Sequence, residues 1–361
     1  MKYCIILILI ILASCSSSDN ENLECAIYEI IPIDEHIWNL KEVIDTCYTV
    51  SLETSSASLL GNLYKVEIDS VIGISDDISN SLFLYTLNGE FLINLSNNGL
   101  GPGEYVQMSD FVISSEDKTV KVLDAMQNKI ITYSWNGNYI EESKLPLNSG
   151  ISIFSMLNDS TLLLDQQVRR NEDKWKYRIL ALSEEGTVLN KMMPYKQFSD
   201  VSLSARRTFF RVNDTLTYLP TYSNVLYSII ENKVIPRFKL DFGDKWIKDD
   251  YAFDKNKDPM SFVKGLSKTD FVYFVNVLET SSHIWIDYSY KDKYYNTLIR
   301  KCDRKVSTYL RNSDECRYFY NLPITTWNNY FVIPMNKQNI FGVAENVQED
   351  DNPYLLFVKF E

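Results

Sequence analysis

Residues 82–93 run Leu-Phe-Leu-Tyr-Thr-Leu-Asn-Gly-Glu-Phe-Leu-Ile, two apolar segments joined through Asn88-Gly89. Aromatic and branched side chains favour strands, and Asn-Gly between two such segments is a strong signal for a β-hairpin. A type I′ turn needs a positive φ at both central residues, and asparagine and glycine tolerate this backbone best. The stretch therefore predicts a hairpin with a type I′ turn.

The same hairpin recurs along the chain. Residues 130–140 repeat it with Asn-Gly at the turn, and residues 177–189 repeat it with Glu-Gly. The turn glycines are Gly89, Gly137 and Gly186, so the repeat interval is 137 − 89 = 48 and then 186 − 137 = 49 residues. A period of this length predicts a unit of about four strands, as in propellers and solenoids.

Weaker copies follow towards the C-terminus. They are residues 225–235 and 295–304, and the strand pair 330–333 and 354–360 comes last. The polar segment 241–268 lengthens the interval between the first two of these. We interpret it as an inserted loop or short helix over one mouth of the domain.

The repeat predicts an all-β fold, a six-bladed β-propeller of four-stranded antiparallel blades within residues 41–361. About six units of roughly 50 residues fit this length, and five or seven blades stay open because propellers have four to eight. An open two-sheet sandwich fits the strands but not the repeat. The strand Cys47–Leu52 is expected to close the ring by joining the last blade.

The N-terminus predicts an exported, lipid-anchored protein. Lys2 precedes the uncharged run 5–12, which is too short to cross a bilayer, and Leu12-Ala13-Ser14-Cys15 resembles a lipoprotein cleavage site. Residues 1–14 are therefore interpreted as a signal peptide, Cys15 as the lipid attachment residue, and residues 15–40 as a tether and lead-in. An ordinary signal peptide is the alternative.

The tether composition indicates a location. Ser16 follows the modified cysteine, and by resemblance to sorting rules this favours the outer membrane. The acidic Asp19, Glu21 and Glu24 resemble the export tag of surface lipoproteins from Gram-negative anaerobes. Cell-surface display is the expectation, and the periplasmic face is the alternative.

The net charge of the chain limits the classes of partner it can bind. The net charge of −12 argues against nucleic acid as a partner. Arg206, Arg207 and Arg211 are candidate contacts for an anionic ligand, or else solvated strand edges.

After export and lipidation four cysteines remain, which permits disulfides without fixing a pairing. Cys302 and Cys316 are close enough to staple a hairpin, and free buried thiols are equally open; the other two are Cys25 and Cys47.

No metal site, cofactor or catalytic residue is predicted. The chain contains only two histidines, His36 and His283, interpreted as core or surface residues. Residues 254–265 begin like a calcium loop, but Pro259 and Gly265 occupy positions that need glycine and glutamate. Three short motifs resemble an O-glycosylation sequon or ordinary turn chemistry. They are Asp69-Ser70-Val71, Asp159-Ser160-Thr161 and Asp214-Thr215-Leu216.

The segment Gly99-Leu100-Gly101-Pro102-Gly103-Glu104-Tyr105 resembles the hallmark of six-bladed β-propeller lipoproteins from Gram-negative anaerobes, with an NHL- or TolB-like shape. As in that family, the hairpin 83–91 precedes the motif, and the strands 110–113 and 120–124 and the hairpin 129–139 follow it in that order. The match is close over about residues 50–145. This family is mostly uncharacterised, so the resemblance implies a fold.

The glycine motif has a structural interpretation of its own. It lacks the Lys-Ser/Thr of a phosphate-binding loop, and no helix follows it. Gly99, Gly101 and Gly103, with Pro102, Glu104 and Tyr105, are expected to form a tight crossing between the outer strand of one blade and the inner strand of the next.

These observations favour a ligand-binding or protein-interaction module at the cell envelope, with a glycan, peptide or protein partner. A rigid propeller with loops at its mouth suits recognition, and the many tyrosines suit stacking. The alternative is a lyase or hydrolase with its site at the central channel. A purely structural envelope role is the third possibility.

The lipid anchor is tested by protease treatment of intact cells that express the wild type or Cys15→Ala. We expect external protease to degrade the wild-type protein while a periplasmic control survives. The Cys15→Ala protein should no longer be found in the membrane fraction. Wild-type protein that survives until the outer membrane is opened contradicts surface display, and membrane-bound Cys15→Ala contradicts the anchor itself.

Overall fold

The computed structural model describes residues 25–30, 40–146, 151–167, 174–195, 197, 201, 207–248, 258–311, 322–335 and 351–361. The predicted signal peptide, Cys15, and the tether as far as residue 24 lie outside these residues. Among the described residues no helix is long and apolar enough to span a membrane.

Six sheets form the described fold, which confirms the predicted six-bladed propeller. Two strands and a short helix precede the first complete blade: β1 (Ala26–Glu29), α1 (Leu40–Val43) and β2 (Ile44–Ser51). Blade 1 contains β3 (Lys65–Ile68), β4 (Ile72–Asp76), β5 (Ser81–Tyr85) and β6 (Phe91–Leu95). Blade 2 contains β7 (Asp110–Ser114), β8 (Thr119–Asp124), β9 (Lys129–Ser134) and β10 (Tyr139–Lys144). Blade 3 contains β11 (Ile151–Asn158), β12 (Thr161–Gln166), β13 (Tyr177–Ser183) and β14 (Val188–Pro194).

The second half of the ring follows the same order. Blade 4 contains β15 (Phe209–Val212), β16 (Thr215–Tyr218), β17 (Val225–Ile230) and β18 (Lys233–Asp241). A 3-10 helix (Gly243–Lys245) and α2 (Pro259–Leu266) lead to the next blade. Blade 5 contains β19 (Val272–Glu279), β20 (His283–Tyr290), β21 (Lys293–Arg300) and β22 (Lys305–Leu310). Blade 6 contains β23 (Thr325–Trp327), β24 (Tyr330–Met335) and β25 (Tyr354–Phe360).

The first strand of each blade lies innermost. These six inner strands, β3, β7, β11, β15, β19 and β23, contact one another in a ring around the axis. Because the first three strands of each blade pair antiparallel, the turns between first and second strands lie at one end of the ring, which we call the hairpin face. The turns between second and third strands, and the passages between blades, lie at the other end, the crossover face.

Apolar side chains fill the spaces between neighbouring blades. Six clusters of buried residues each join two adjacent blades; between blades 1 and 2, for example, Leu84 packs with Phe111 and Tyr133. Strands sandwiched in this way are apolar on both faces, and β4, β5 and β7 are buried along their whole length. Burial of apolar surface is therefore what holds each blade to the next.

The ring closes with the N-terminal strand, as predicted. β2 pairs antiparallel with β25 from Ile44–Phe360 to Ser51–Tyr354 and becomes the outer strand of blade 6. The stacked rings of Tyr48 and Phe357, with centroids 4.6 Å apart, reinforce this pairing. An N-terminal strand and the C-terminal strand are thus joined in one sheet.

Blade 4 has a fifth strand that the sequence did not predict. β1 lies within the segment interpreted as a tether, and it pairs parallel with β18 from Ala26–Phe238 to Glu29–Asp241. Tyr28 packs edge-on against Phe238, and Ile30 is 2% exposed. β1 is only four residues long, which is too short for the local sequence to show a clear strand pattern.

The predicted type I′ turn is wrong at all three glycine hairpins. Only the glycine has a positive φ, +88° at Gly89 and +83° at Gly137 and Gly186. The Gly89 amide donates to the Thr86 carbonyl, which makes a four-residue turn with a bulge, and the other two copies share this pattern. Two consecutive positive φ values, as type I′ requires, occur instead at Glu231-Asn232, Lys291-Asp292 and Asn328-Asn329.

The cysteines also differ from one expectation. Cys25, Cys47 and Cys302 are free, but Cys25 is only half-buried and the other two are exposed, so the idea of buried thiols is wrong for them. Cys316, which the sequence allows as a disulfide partner of Cys302, lies outside the described residues.

Residues 242–248 and 258–268 of the predicted inserted segment lie on the crossover face. Residues 249–257 are outside the description, and α2 follows them. Phe262 and Leu266 of α2 are buried against Ile247 and Tyr273. The Asp258 side chain caps the helix by accepting a hydrogen bond from the Ser261 amide at 3.0 Å.

Close packing between blades explains why glycine is needed at the repeated turn. A Cβ at Gly89 would lie 1.9 Å from the Ser51 carbonyl oxygen, in the outer strand of the preceding blade. At Gly186 the equivalent clash is with the Lys144 carbonyl, 2.4 Å away. Each turn therefore fits against its neighbour only without a side chain.

We expect Gly89→Ala to lower the free energy of unfolding by about 3 kcal/mol, since it combines left-handed strain with a backbone clash. Gly243→Ala is the matched control, because Gly243 has a φ of +59° but nothing within 4 Å of the added Cβ. It should lose only about 1 kcal/mol in urea denaturation. Equal losses in the two variants would show that packing between blades is not limiting.

Candidate functional site

A cavity of about 470 Å³ lies on the axis and opens towards the hairpin face. All six blades contribute to its lining, mostly through inner strands and the turns that follow them. Named by blade, one residue each is Lys65, Val112, Ser155, Arg211, Glu279 and Trp327. This is the size range of pockets that hold small ligands.

A second cavity of about 280 Å³ adjoins the first and is lined by blades 1 to 3 and by Arg211 of blade 4. Glu67, Asp69 and Arg211 line both cavities, and the second extends to Glu116 and Asp159 at the rim. The two spaces therefore form one polar depression at the hairpin end of the channel.

Charged side chains meet below the axial cavity. Lys65 Nζ lies 2.6 Å from Asp110 Oδ1 and 3.2 Å from Glu67 Oε2, and Glu67 accepts the Ile113 amide at 3.0 Å. The ammonium also sits 4.7 Å above the Phe111 ring. Blades 1 and 2 are thus joined by a buried ion pair with additional hydrogen bonds, the condition under which such pairs are tolerated.

The Asp110 carboxylate extends this link to a third blade. Its Oδ2 accepts the Phe154 amide of blade 3 at 2.9 Å, and the side chain is only 5% exposed. Burial raises the pKa of the Asp110 carboxyl above its ordinary value of 3.8, while the charge and hydrogen bond of Lys65 act in the opposite direction.

Arg207 reaches the cavity from blade 4. Its Nη1 donates to Thr325 Oγ1 of blade 6 at 2.9 Å, so this side chain links two blades that are not neighbours. Burial lowers the pKa of the guanidinium, and the carboxylates of Glu67 and Asp110 partly restore it. Its Nη2 has no hydrogen-bond partner among the described residues. Two cations and two carboxylates (Lys65, Arg207, Glu67 and Asp110) thus balance at the cavity floor.

The rim carries exposed carboxylates. Asp69, Glu116, Asp159 and Asp214 all lie in first-to-second-strand turns on the hairpin face. The hydrogen-bonded Asp159 carboxyl raises the pKa of Glu116. Three of these aspartates begin the sequon-like motifs, which occupy equivalent turns in blades 1, 3 and 4.

The structure assigns different contacts to Arg207 and Arg211, two of the three predicted arginines. Arg206 lies outside the described residues. Arg207 and Arg211 both line the axial cavity, but Arg211 donates from Nη2 to the carbonyl oxygens of Met156 at 2.6 Å and Leu157 at 3.3 Å. Arg211 therefore already holds blade 3 against blade 4, and Arg207 retains the freer guanidinium.

The glycine motif lies on the crossover face, between β6 and β7. The Gly101 amide donates to Glu104 Oε2 at 2.8 Å, and a Cβ at Gly99 would lie 2.0 Å from that oxygen. Gly103 has a φ of +70°, with the Tyr139 ring where its Cβ would be. Tyr105 is fully buried and donates its hydroxyl to the carbonyls of Asn80 and Leu95. These contacts make the motif a compact crossing rather than an open cradle.

The other candidates lie away from the cavity. His283 Nε2 is 3.0 Å from the Glu361 carbonyl oxygen and Nδ1 is 3.0 Å from Ser282 Oγ; burial lowers its pKa. His36 and residues 254–257 are outside the description. Within the described residues no three His, Cys, Asp or Glu side chains are arranged to hold a metal ion.

Sequence reasoning missed the residues of the cavity floor. Lys65, Glu67 and Asp110 are ordinary charged residues in strands far apart along the chain, and only ring closure brings them together. The sequence did indicate these residues by their position, because a polar residue on the first strand of a blade lies near the axis. Placing the inner strands from the turn glycines would have identified them.

The buried pair can be tested by Lys65→Met, which leaves Asp110 without its cation. We expect a loss of about 3–5 kcal/mol in unfolding free energy at pH 7. Because the folded pKa of Asp110 is raised, the folded state binds the proton more tightly, and stability falls as pH rises above about 4. Removing Lys65 strengthens this trend, so the loss should shrink towards pH 4.

Urea denaturation at both pH values checks this. Asp110→Asn added to Lys65→Met should recover part of the stability at pH 7. A Lys65→Met loss that is the same at pH 4 and pH 7 would mean that the Asp110 charge is not involved.

The fold is shared with solved structures. A Bacteroides fragilis protein assigned as exported superposes with a TM-score of 0.78 at 17% identity, covering 93% of this chain and all of that one. A duf4221 family member from Bacteroides vulgatus gives 0.55 at 12% identity, covering 88% and 97%. At such identities the likeness shows the fold alone. A search of curated proteins gave no significant match.

The sequence profile of DUF5128, described as a 6-bladed beta-propeller, matches residues 18–334. This range spans most of the chain and agrees with the six described sheets. The chain therefore belongs to the DUF5128 family of six-bladed β-propellers.

Proposed function

We propose that this protein is an exported lipoprotein, anchored through Cys15 at the outer membrane and displayed on the cell surface, whose propeller binds a small polar ligand in the axial cavity. The observation that carries the binding role is the 470 Å³ cavity, lined by all six blades and open on the hairpin face. A rigid ring that supplies polar groups from every side suits recognition.

The charges of the cavity favour a ligand with charges of both signs. Arg207 offers a guanidinium near the floor, and the rim offers the exposed carboxylates of Asp69, Asp159 and Asp214. A short peptide can place its carboxylate at the floor and an ammonium group at the rim. Trp327 lines the same cavity and supplies an aromatic surface for stacking. A short zwitterionic peptide is therefore our first choice, and a glycan the second.

The lyase or hydrolase alternative concerns the same channel. The match to virginiamycin B lyase from Staphylococcus aureus, with a TM-score of 0.46 at 12% identity over 87% of this chain and 99% of that one, is too weak to support it. Mass spectrometry of any ligand recovered after incubation separates binding from turnover, because a bound ligand returns unchanged.

Titration calorimetry with short peptides of varied charge and with oligosaccharides tests the binding role. We expect zwitterionic peptides to bind, and Asp69→Asn and Asp159→Asn each to weaken binding about ten-fold, as loss of one charged hydrogen bond implies. Both side chains are exposed, so the variants should fold normally.

Glu231→Gln is the matched control, since it neutralises an exposed turn carboxylate that lines neither cavity. It should leave the affinity unchanged. Absence of binding by any peptide or oligosaccharide, or equal effects of the rim and control variants, would contradict a ligand site in the cavity.

A further inference from the structure

The four most exposed large apolar side chains of the described residues lie in loops or in α2 on the crossover face. Among the described residues the four highest exposures are Leu100 at 79%, Ile78 at 73%, Met126 at 65% and Met260 at 63%. Leu59 adds 52% on the same face, while Leu189 at 57%, Ile27 at 56% and Ile140 at 50% lie on the outer strands of the blades. Soluble surfaces scatter such residues singly, so their gathering on one face indicates a contact surface.

The loops over blades 1 and 2 hold these side chains in fixed positions. Asn80 Nδ2 donates to the Val106 carbonyl at 3.0 Å, and the Val106 amide donates to Asp124 Oδ2 at 2.6 Å. Gln127 Nε2 lies 3.4 Å from the Gly99 carbonyl oxygen, which ties the loop of Met126 to that of Leu100. The apolar tips therefore belong to one preorganised surface.

Helix α2 supplies a second apolar element beyond the axis, between blades 4 and 5. Phe262 and Leu266 face the propeller, while Met260 and Val263 remain exposed. Lys248, Lys264 and Lys268 lie close by in the sequence and are exposed, without an ion pair to any described carboxylate. Apolar residues beside lysines are typical of elements that lie in a membrane interface.

The two faces differ in charge. Residues 54–63 and 96–103, which carry Leu59 and Leu100, contain no charged residue. The hairpin face carries the carboxylates of Asp69, Glu116, Asp159 and Asp214 around the cavity. An anionic bilayer surface would repel the carboxylates of the hairpin face more than the uncharged segments 54–63 and 96–103, although Asp77 and Asp244 are also exposed on the crossover face.

The length of the predicted tether is compatible with this orientation of the propeller. Ten residues, 16–25, separate Cys15 from β1, and at full extension they reach about 35 Å. β1 pairs with the last four residues of β18, after which the chain enters the crossover face. β1 runs parallel to β18, so the tether joins it beside Phe238, about 10 Å from the crossover end of blade 4, and is long enough to let that face reach the bilayer.

We propose that the crossover face docks on the lipid bilayer, with Leu100, Ile78, Met126 and Met260 inserted among the lipid headgroups. Apolar tips on opposite sides of the ring axis suit a planar partner. The cavity on the hairpin face then points away from the membrane and stays open to ligand. This inference rests on the proposed lipid anchor, and it adds an orientation to it.

The test uses lipidated protein in vesicles of phosphatidylethanolamine and phosphatidylglycerol, with ordinary or brominated acyl chains. Leu100→Trp places a reporter on the crossover face, and Ser160→Trp places one in an exposed turn of the hairpin face. After subtraction of wild-type fluorescence, the tryptophan at position 100 should lose about half its emission in brominated lipid, as expected for a side chain within the interface. The tryptophan at position 160 should be unaffected.

Flotation of the same samples separates the two proposals. Protein that floats with vesicles while neither tryptophan is quenched keeps the anchor and overturns the docking. Protein that does not float overturns the anchor, and the docking with it. An unquenched tryptophan at position 100, together with crosslinks from that loop to another envelope protein, would identify the face as a protein interface and also overturn the docking.

Discussion

Closure of the ring is the constraint on which the other features depend. The N-terminal strand β2 must pair with the C-terminal strand β25, and only then do the six inner strands surround a common axis. Asn352, which is 3% exposed, stabilises this closure. Its side-chain Nδ2 donates to the carbonyls of Glu53 and Ser58, and its backbone amide donates to Thr54 Oγ1, 298 positions away along the chain. Ordering so long a loop has an entropic cost, which burial between all six blade pairs must offset.

Once closed, the ring has two chemically different interiors. Between blades the contacts are apolar, and on the axis they are polar. Lys65, Asp110 and the Phe154 amide connect three inner strands there, and Arg207 reaches Thr325 from the other side. Buried polar groups stabilise only when their partners are in place, so this floor fixes the relative positions of the strands. The same arrangement leaves unsatisfied polar capacity near the cavity.

The sequence predicts the blade rhythm well because turn chemistry is local. Glycines spaced by 48 and 49 residues mark one turn per blade, and the strand Cys47–Leu52 is the natural candidate for closure. The turn type was not predictable, because it depends on contact with the preceding blade, where Gly89 meets Ser51. β1 was missed because its four residues become a strand only on the exposed edge of β18. The cavity floor was missed because Lys65, Asp110 and Arg207 converge only in the closed ring.

Co-crystallisation of the protein with the peptide that binds most tightly tests the central claim, that the closed ring creates a ligand site on its axis. Difference density is expected inside the 470 Å³ cavity, with the peptide carboxylate within hydrogen-bond distance of Arg207 and its ammonium group near Asp69 or Asp159. Peptide density on the outer blades or on the crossover face, with the axial cavity filled only by solvent, would contradict it.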